Sequence, residues 1–299
     1  MRNWLRTPRP VFVVAALLLT VPVPSPAAAI RWKVRWQPQR IVNGSPLLLR
    51  VQTSAKLKSL SATWLGHGVY FSWDATHHDW YGLAGSSLET APGVYTLHLS
   101  GELEASGGQD QPAFDQQIKV RHADYPNASV IVDRKFTEPN PAELEQIHQD
   151  KVTKQKAFSR ITSAREWSGD FRQPVVARIS DVFGATRTFN GKVQSTHEGL
   201  DYAVPAGTPV AAINSGTVVL ARPLFFEGNF VVIDHGQGLL TLYLHLSHIE
   251  VKEGEQVSGG QVIGLSGGTG RATGPHLHLA VRWQGIYVDP ATLLSLNLP

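Results

Sequence analysis

From Arg31 the chain alternates polar and apolar residues with a period of two, and Trp32, Val34 and Trp36 fall on one side. That is the period of a half-buried strand, because successive side chains point to opposite faces. Further segments of the same kind follow at Leu47–Val51, Ser61–Leu65, Val69–Trp73, Gly93–Ser100 and Phe114–Arg121, with Gly, Pro, Asn or Asp between them. Short strands at this spacing predict a β-sandwich over residues 30–123.

The pattern then changes. Residues 124–166 read as a connector: a turn at Asp124–Asn127, a short strand at Ser129–Asp133, and a helix over residues 141–159. Asn140 can cap that helix with Pro141 at its first position. Its apolar stripe is thin, resting on Leu144 and Ile147, which suits a bracing or spacer helix between domains. A pro-segment that blocks a site is the alternative.

From residue 167 the period of two returns. Strands are expected at Pro209–Ile213, Gly216–Ala221, Asn229–His235, Leu239–His245, Ile249–Val251, Gln261–Ser266 and His276–Trp283, joined by turns rich in Gly. A mainly β chain with an antiparallel C-terminal sheet follows. Glu253–Val257 and Gly259–Gly264 predict a hairpin also seen in lipoyl- and biotin-carrier domains. No Lys stands at its tip, which excludes a carrier function.

Composition changes the picture in three ways. First, with 42% apolar and 17% charged residues, 299 residues suffice for a folded two-domain protein. Second, Arg2, Arg6 and Arg9 precede an apolar run at Val11–Val21 and an Ala27-Ala28-Ala29 site, the pattern of a secretory signal peptide cleaved after Ala29. The run is shorter than the ~20 residues of a spanning helix, and Pro22, Pro24 and Pro26 interrupt it, which disfavours an uncleaved anchor. Export to the periplasm or cell envelope is expected. The signal also carries the whole net charge of +3, so the remainder is balanced and has no electrostatic footprint for nucleic acid. Third, the chain has no Cys, so no disulfide supports it and no thiolate can bind metal.

That leaves imidazole and carboxylate as metal donors, and they gather in one stretch. His197-Glu198-Gly199-Leu200-Asp201 opens it, Tyr243-Leu244-His245-Leu246-Ser247 lies in the middle, and Gly274-Pro275-His276-Leu277-His278 closes it. His276 and His278 are two apart on an expected strand and so share a face. One can bind metal while the other stands beside it. Tyr243 and His245 are expected to share a face for the same reason. Five other histidines read as structural: His77 and His78 lack a second cluster, His98 alternates with apolar neighbours, His235 reads as a turn and His248 as a loop. Arg187 either contacts substrate or braces a loop.

Taken together, His-x-x-x-Asp, the Tyr-x-His-Leu-Ser strand and Gly-x-Thr-Gly…Gly-Pro-His-Leu-His resemble lysostaphin-like, or LytM-like, zinc metalloendopeptidases over residues 178–290. Phe183-Gly184, Gly207-Thr208-Pro209-Val210, Gly216-Thr217-Val218 and Asp289-Pro290 extend the resemblance. It implies a fold of the duplicated-hybrid-motif kind over residues 167–299; separately, the Pro92-Gly93-Val94-Tyr95 turn and strand resemble the later strands of immunoglobulin-like domains exported by bacteria. It implies one zinc held by His197, Asp201 and His278, with His245 and His276 as catalytic residues. The implied substrate is the peptide cross-link of bacterial peptidoglycan. No module for a glycine bridge is apparent, so the bond expected is the direct one from D-Ala to a diamino acid. Other cell-wall enzymes are further expected partners, because some relatives lose their zinc ligands and instead activate an amidase. Here all five positions are intact, which favours the enzyme.

Overall fold

Two-residue periodicity in the first third of the chain becomes two sheets around a shared core. The computed structural model describes residues 30–104, 111–159 and 161–299. The expected signal peptide lies outside the described residues. The strands are β1 (Trp32–Gln37), β2 (Ile41–Val42), β3 (Pro46–Thr53), β4 (Leu57–Trp64), β5 (His67–Tyr70), β6 (Ser72–Asp74), β7 (Asp79–Gly85), β8 (Gly93–Leu103) and β9 (Ala113–Arg121). One sheet has the order β1-β3-β7-β6 and the other β2-β9-β8-β4-β5. Leu47, Leu49 and Val51 from the first sheet meet Trp64, Leu97 and Ile118 from the second in one buried cluster. Trp64 is fully buried, and its indole N–H donates to the Gly85 carbonyl at 3.0 Å, so the ring's one polar atom is satisfied.

The connector forms β10 (Asn127–Val130), a 3-10 turn at Arg134–Phe136, and α1 (Pro141–Phe158). The cap of α1 is the expected one. Asn140 accepts from the Glu143 N–H while Glu143 accepts from the Asn140 N–H, a reciprocal pair of about 1 kcal/mol.

Beyond it lie β11 (Ile179–Asp181), β12 (Thr186–Phe189), β13 (Val193–Thr196), β14 (Leu200–Tyr202), β15 (Pro209–Ala211), β16 (Gly216–Leu224), β17 (Gly228–Asp234), β18 (Leu239–Leu246), β19 (His248–Ile249), β20 (Gln256–Val257), β21 (Val262–Leu265), β22 (Leu277–Trp283), β23 (Ile286–Val288) and α2 (Pro290–Leu294). The main sheet runs β11-β14-β22-β18-β17-β16-β20, all antiparallel, with β23 on β22. The expected hairpin of residues 253–264 does not form. β20 pairs with β16 in the main sheet, whereas β21 pairs with β15 and β19 in a small separate one. A turn closed by Gln261 N–H on the Ser258 carbonyl at 3.0 Å carries the chain from one sheet to the other.

The two faces of the main sheet have different fates. Leu200, Tyr202, Tyr243, Leu279 and Val281 join the core that continues into the N-terminal sheets. Leu220, Phe230, Leu242 and Ala280 face the other way, where Ala157 and Phe158 from the end of α1 cover them. Arg282 lies against the Phe158 ring at 4.4 Å. The helix is tied down by polar contacts as well. Asp150, its buried residue, accepts from the Phe225 N–H at 2.6 Å, and Lys154 pairs with Glu227. Among the described residues no helix is long and apolar enough to cross a membrane.

Candidate metal centre

Register places the candidate ligands. β14 and β22 pair so that Asp201 lies directly opposite His278. Leu200 and Tyr202 point into the core, so alternation turns Asp201 to the opposite face, and the same holds for His278 between Leu277 and Leu279. His197 precedes β14 and reaches the same point. His197 Nε2 lies 3.1 Å from Asp201 Oδ1 and 3.0 Å from His278 Nδ1, and the latter is 2.8 Å from the same carboxylate oxygen. All three residues are buried, and this is the metal-competent His/Asp/Glu cluster found among the described residues.

The donor chemistry fits a divalent cation. His197 Nδ1 is 2.7 Å from the Val182 carbonyl, which can only accept, so the proton of the neutral ring sits on Nδ1 and Nε2 offers a lone pair. That lone pair, the His278 nitrogen and an anionic oxygen converge on one point. Burial would raise the Asp201 carboxyl, but the neighbouring His197 and His278 outweigh it and hold the group far below the ordinary carboxylate range. Burial lowers His278 to about 4 against the pull of Asp201, so that ring stays neutral at pH 7. Two neutral imidazoles and one carboxylate, with no thiolate, suit zinc.

Arg187, left open between two roles, braces this cluster. Its Nε and Nη2 donate to Asp181 Oδ2 at 2.8 and 2.6 Å, and Nη2 also reaches Asp201 Oδ2. The second oxygen of Asp201 is therefore held while the first faces the two rings. Asp181, not anticipated from sequence, orients the guanidinium.

His245 and His276 stand beside the cluster. Their ring centroids are 4.8 Å apart, and His276 Nε2 is 3.9 Å from Asp201 Oδ1. His276 precedes β22 and is held by a bridge to Gly267, not by the strand that was expected to carry it. His245 also departs from expectation. Tyr243 is buried on the opposite face of the sheet, where its hydroxyl accepts from the Ile213 N–H at 2.9 Å. Simple alternation would send His245 there too. A positive φ of 64° at His245 breaks the alternation and turns the ring toward the ligand cluster. A non-glycine residue held in that region costs on the order of 1 kcal/mol or more and is typically found where function demands it. The Thr269 carbonyl fixes His245 Nδ1 at 2.8 Å, and the Gly274 carbonyl fixes His276 Nδ1 at 2.9 Å. Burial, then the neighbouring His276 and His278, lower His245 to about 3.

The other histidines stay apart. His77 bonds Asp74 and His98 bonds Asp115, both on the N-terminal sheets. His248 is exposed. His235, read as a structural turn residue, directly follows β17, just ahead of the turn at residues 236–239. It is fully buried, with Nδ1 2.6 Å from the Ser215 carbonyl and Nε2 2.7 Å from Thr241 Oγ1.

A cavity of about 310 Å³ opens over the cluster, lined by His197, His245 and His278 on one side and by Lys154 and Phe158 of α1 on another. A buried three-donor metal site with two further imidazoles on its open side defines the class of metal-dependent hydrolase. Comparison with known proteins gives the family. Residues 195–290 match the model of peptidase family M23, so the C-terminal region of the chain is an M23 peptidase domain. A putative M23 peptidase from Pseudomonas aeruginosa, known from its crystal structure, is 29% identical and aligns over 85% of this chain and 95% of its own, with a TM-score of 0.63. The peptidoglycan DD-endopeptidase ShyA of Vibrio cholerae is 43% identical over 146 residues, 48% of this chain and 31% of that protein. The DD-carboxypeptidase/endopeptidase Mpg of Neisseria meningitidis is 44% identical over 125 residues, 42% of this chain and 28% of that protein. The matched region thus spans less than a third of these two relatives.

Proposed function

We propose that the chain is a zinc-dependent endopeptidase that hydrolyses peptide cross-links of bacterial peptidoglycan, at the bond from D-Ala to a diamino acid, after export to the periplasm or cell envelope. The observation that carries this reading is the convergence of His197, Asp201 and His278 beside two imidazoles whose Nε2 atoms are left bare. The substrate class is supported by the relatives named as DD-endopeptidases, and export by the pattern of residues 1–29.

His197, Asp201 and His278 would hold the zinc. Bound there, it supplies a Lewis acid that polarises the scissile carbonyl and makes water nucleophilic near neutral pH. The protein's share is proton handling. Backbone carbonyls hold both auxiliary rings by Nδ1, so each neutral ring presents Nε2 as an acceptor. One imidazole takes the proton of the attacking water at Nε2. Its protonated form can then donate to the departing amine, while the other accepts a hydrogen bond from the same water. Burial keeps His245 neutral and ready to accept at pH 7.

The test is digestion of isolated sacculi by the purified chain with stoichiometric zinc, read as a muropeptide profile. Loss of cross-linked dimers, with no loss for H245A, supports the reading. Unchanged profiles from zinc-loaded protein overturn it and favour a non-catalytic activator of a cell-wall amidase.

A further inference from the structure

The cavity over the metal centre contains cations with different obligations. Arg187 is committed to Asp181 and Asp201, and Lys154 to Glu227. Arg271 lines the same cavity and makes no ion pair or side-chain hydrogen bond with any described residue. It is not a loose surface arginine. Its guanidinium lies between two aromatic faces, 4.4 Å from the Phe189 centroid and 4.8 Å from that of Phe226. These cation–π contacts hold the guanidinium without using its N–H donors, which stay available to a ligand.

Its base is equally fixed. The Arg271 N–H donates to the Phe226 carbonyl at 2.8 Å. Gly228 and Gly270 both take positive φ. A Cβ on Gly270 would come within 2.5 Å of the Phe226 carbonyl, and one on Gly228 would meet the Thr269 carbonyl at 2.5 Å. The two turns thus interlock through their glycines. Thr269, two residues before Arg271, is the residue whose carbonyl holds His245. The guanidinium is therefore positioned relative to the hydrolytic centre by one short, rigid segment.

We propose that Arg271 is a specificity residue that binds a free carboxylate on the amine side of the scissile peptide bond. This rests on the endopeptidase reading above. A planar guanidinium with unused donors in a half-buried cavity matches a carboxylate better than any neutral group. In a cross-link to a diamino acid of the diaminopimelate type, the linked nitrogen sits on a carbon that also bears a carboxylate. In a lysine-type link, or when that carboxylate is amidated, the charge is absent. Arg271 thereby separates these chemistries at a site that the metal ligands cannot distinguish.

The experiment compares two cross-linked dimers, one with the free carboxylate at the linked centre and one amidated there, using the zinc-loaded full chain and R271Q. Each charge-assisted hydrogen bond is worth about 10- to 100-fold. The wild type should therefore prefer the carboxylate dimer by about that factor in kcat/KM, mainly through KM, and R271Q should bring the ratio to about one. A ratio that R271Q leaves intact overturns the proposal. So does an equal loss on both dimers, because that is what a purely structural arginine would give. Calorimetric binding of the two amine-side stem peptides separates the proposal from the activity on which it rests. If the wild type cuts neither dimer yet binds the carboxylate peptide more tightly, and R271Q does not, Arg271 keeps its role and the endopeptidase reading fails. Equal binding of both peptides by the wild type refutes the assignment to Arg271.

Discussion

Gly199 stands between two ligands in the chain and beneath a third in space, which makes Gly199→Ala a direct test of the metal centre. The backbone does not object to a side chain, because φ at Gly199 lies outside the left-handed region. Space does. A methyl there would meet the His278 ring, with Cε1 at 2.5 Å, and the Leu279 carbonyl at 2.6 Å. Carbon atoms pack at about 3.5 Å or more, so one neighbour must retreat by about 1 Å. The carbonyl is fixed by the pairing of β14 with β22, where Leu200 lies opposite Leu279. The ring yields, and Nδ1 leaves Asp201 and His197. Metal sites tolerate about 0.2 Å of ligand displacement, so the shift is several times too large. We expect at least a 100-fold loss of zinc affinity, above the roughly 10- to 100-fold typical of outer contacts. An overpacking cost of about 1–3 kcal/mol should appear in the metal-free protein. Competition against a zinc chelator gives the first quantity and thermal unfolding without metal the second. Gly274→Ala is the control, because nothing lies within 4 Å of a Cβ there. A folded G199A protein with wild-type zinc affinity would refute the reasoning.

Other substitutions probe the roles separately. H278A should lose stoichiometric zinc in elemental analysis, since two donors remain, and a mutant that retains it contradicts the ligand assignment. H245A should keep zinc and lose about 100-fold or more in hydrolysis, the scale of a general base; loss of metal instead would make His245 a ligand. Tyr243→Phe should destabilise by about 1–3 kcal/mol, because the Ile213 N–H loses its buried acceptor, and the midpoint of thermal unfolding reads it. Burial lowers His235 to about 4, against about 6.5 in the unfolded chain, so the folded state binds protons less readily. The stability it contributes is complete above about pH 6.5 and is lost as pH falls through 4. H235Q should flatten that part of the wild-type profile, and identical slopes would remove His235 as the cause.

The candidate ligands were legible through the resemblance carried by His-x-x-x-Asp and His-x-His, in a chain without Cys. Two-residue alternation added the shared face expected of His276 and His278, but not the strand that carries Asp201. What was hidden depended on departures from that period or on groups without a sequence signature. The place of His245 rests on one backbone angle, so Tyr243 was assigned to the wrong face. The carbonyls of Val182, Thr269 and Gly274 are main chain and leave no mark on residue identity. The pairing of Gln256–Val257 with β16 is a long-range choice that a local turn pattern cannot express. The helix over residues 141–159 was visible from its cap, but the covering of the sheet by Ala157 and Phe158 was not, since its weak apolar stripe gave no partner.

Those carbonyls explain why similar imidazoles take different roles. Val182 ties His197 through Nδ1, so the ring meets the cluster through Nε2. His278 meets it through Nδ1, which faces Asp201. His245 and His276 are tied like His197, but their anchors lie on the loop at 269–274, beyond the edge of the ligand triangle. Both rings therefore stand beside the ligand cluster, with His245 lining the cavity. Had the loop placed one ring a few ångströms closer, it would have become a fourth ligand and closed the position a hydrolytic metal needs open. The loop that sets this distance is the one that interlocks Gly270 with Gly228 and carries Arg271. The spacing of His245 and His276 from the ligand cluster and the placement of Arg271 are thus set by one structural element.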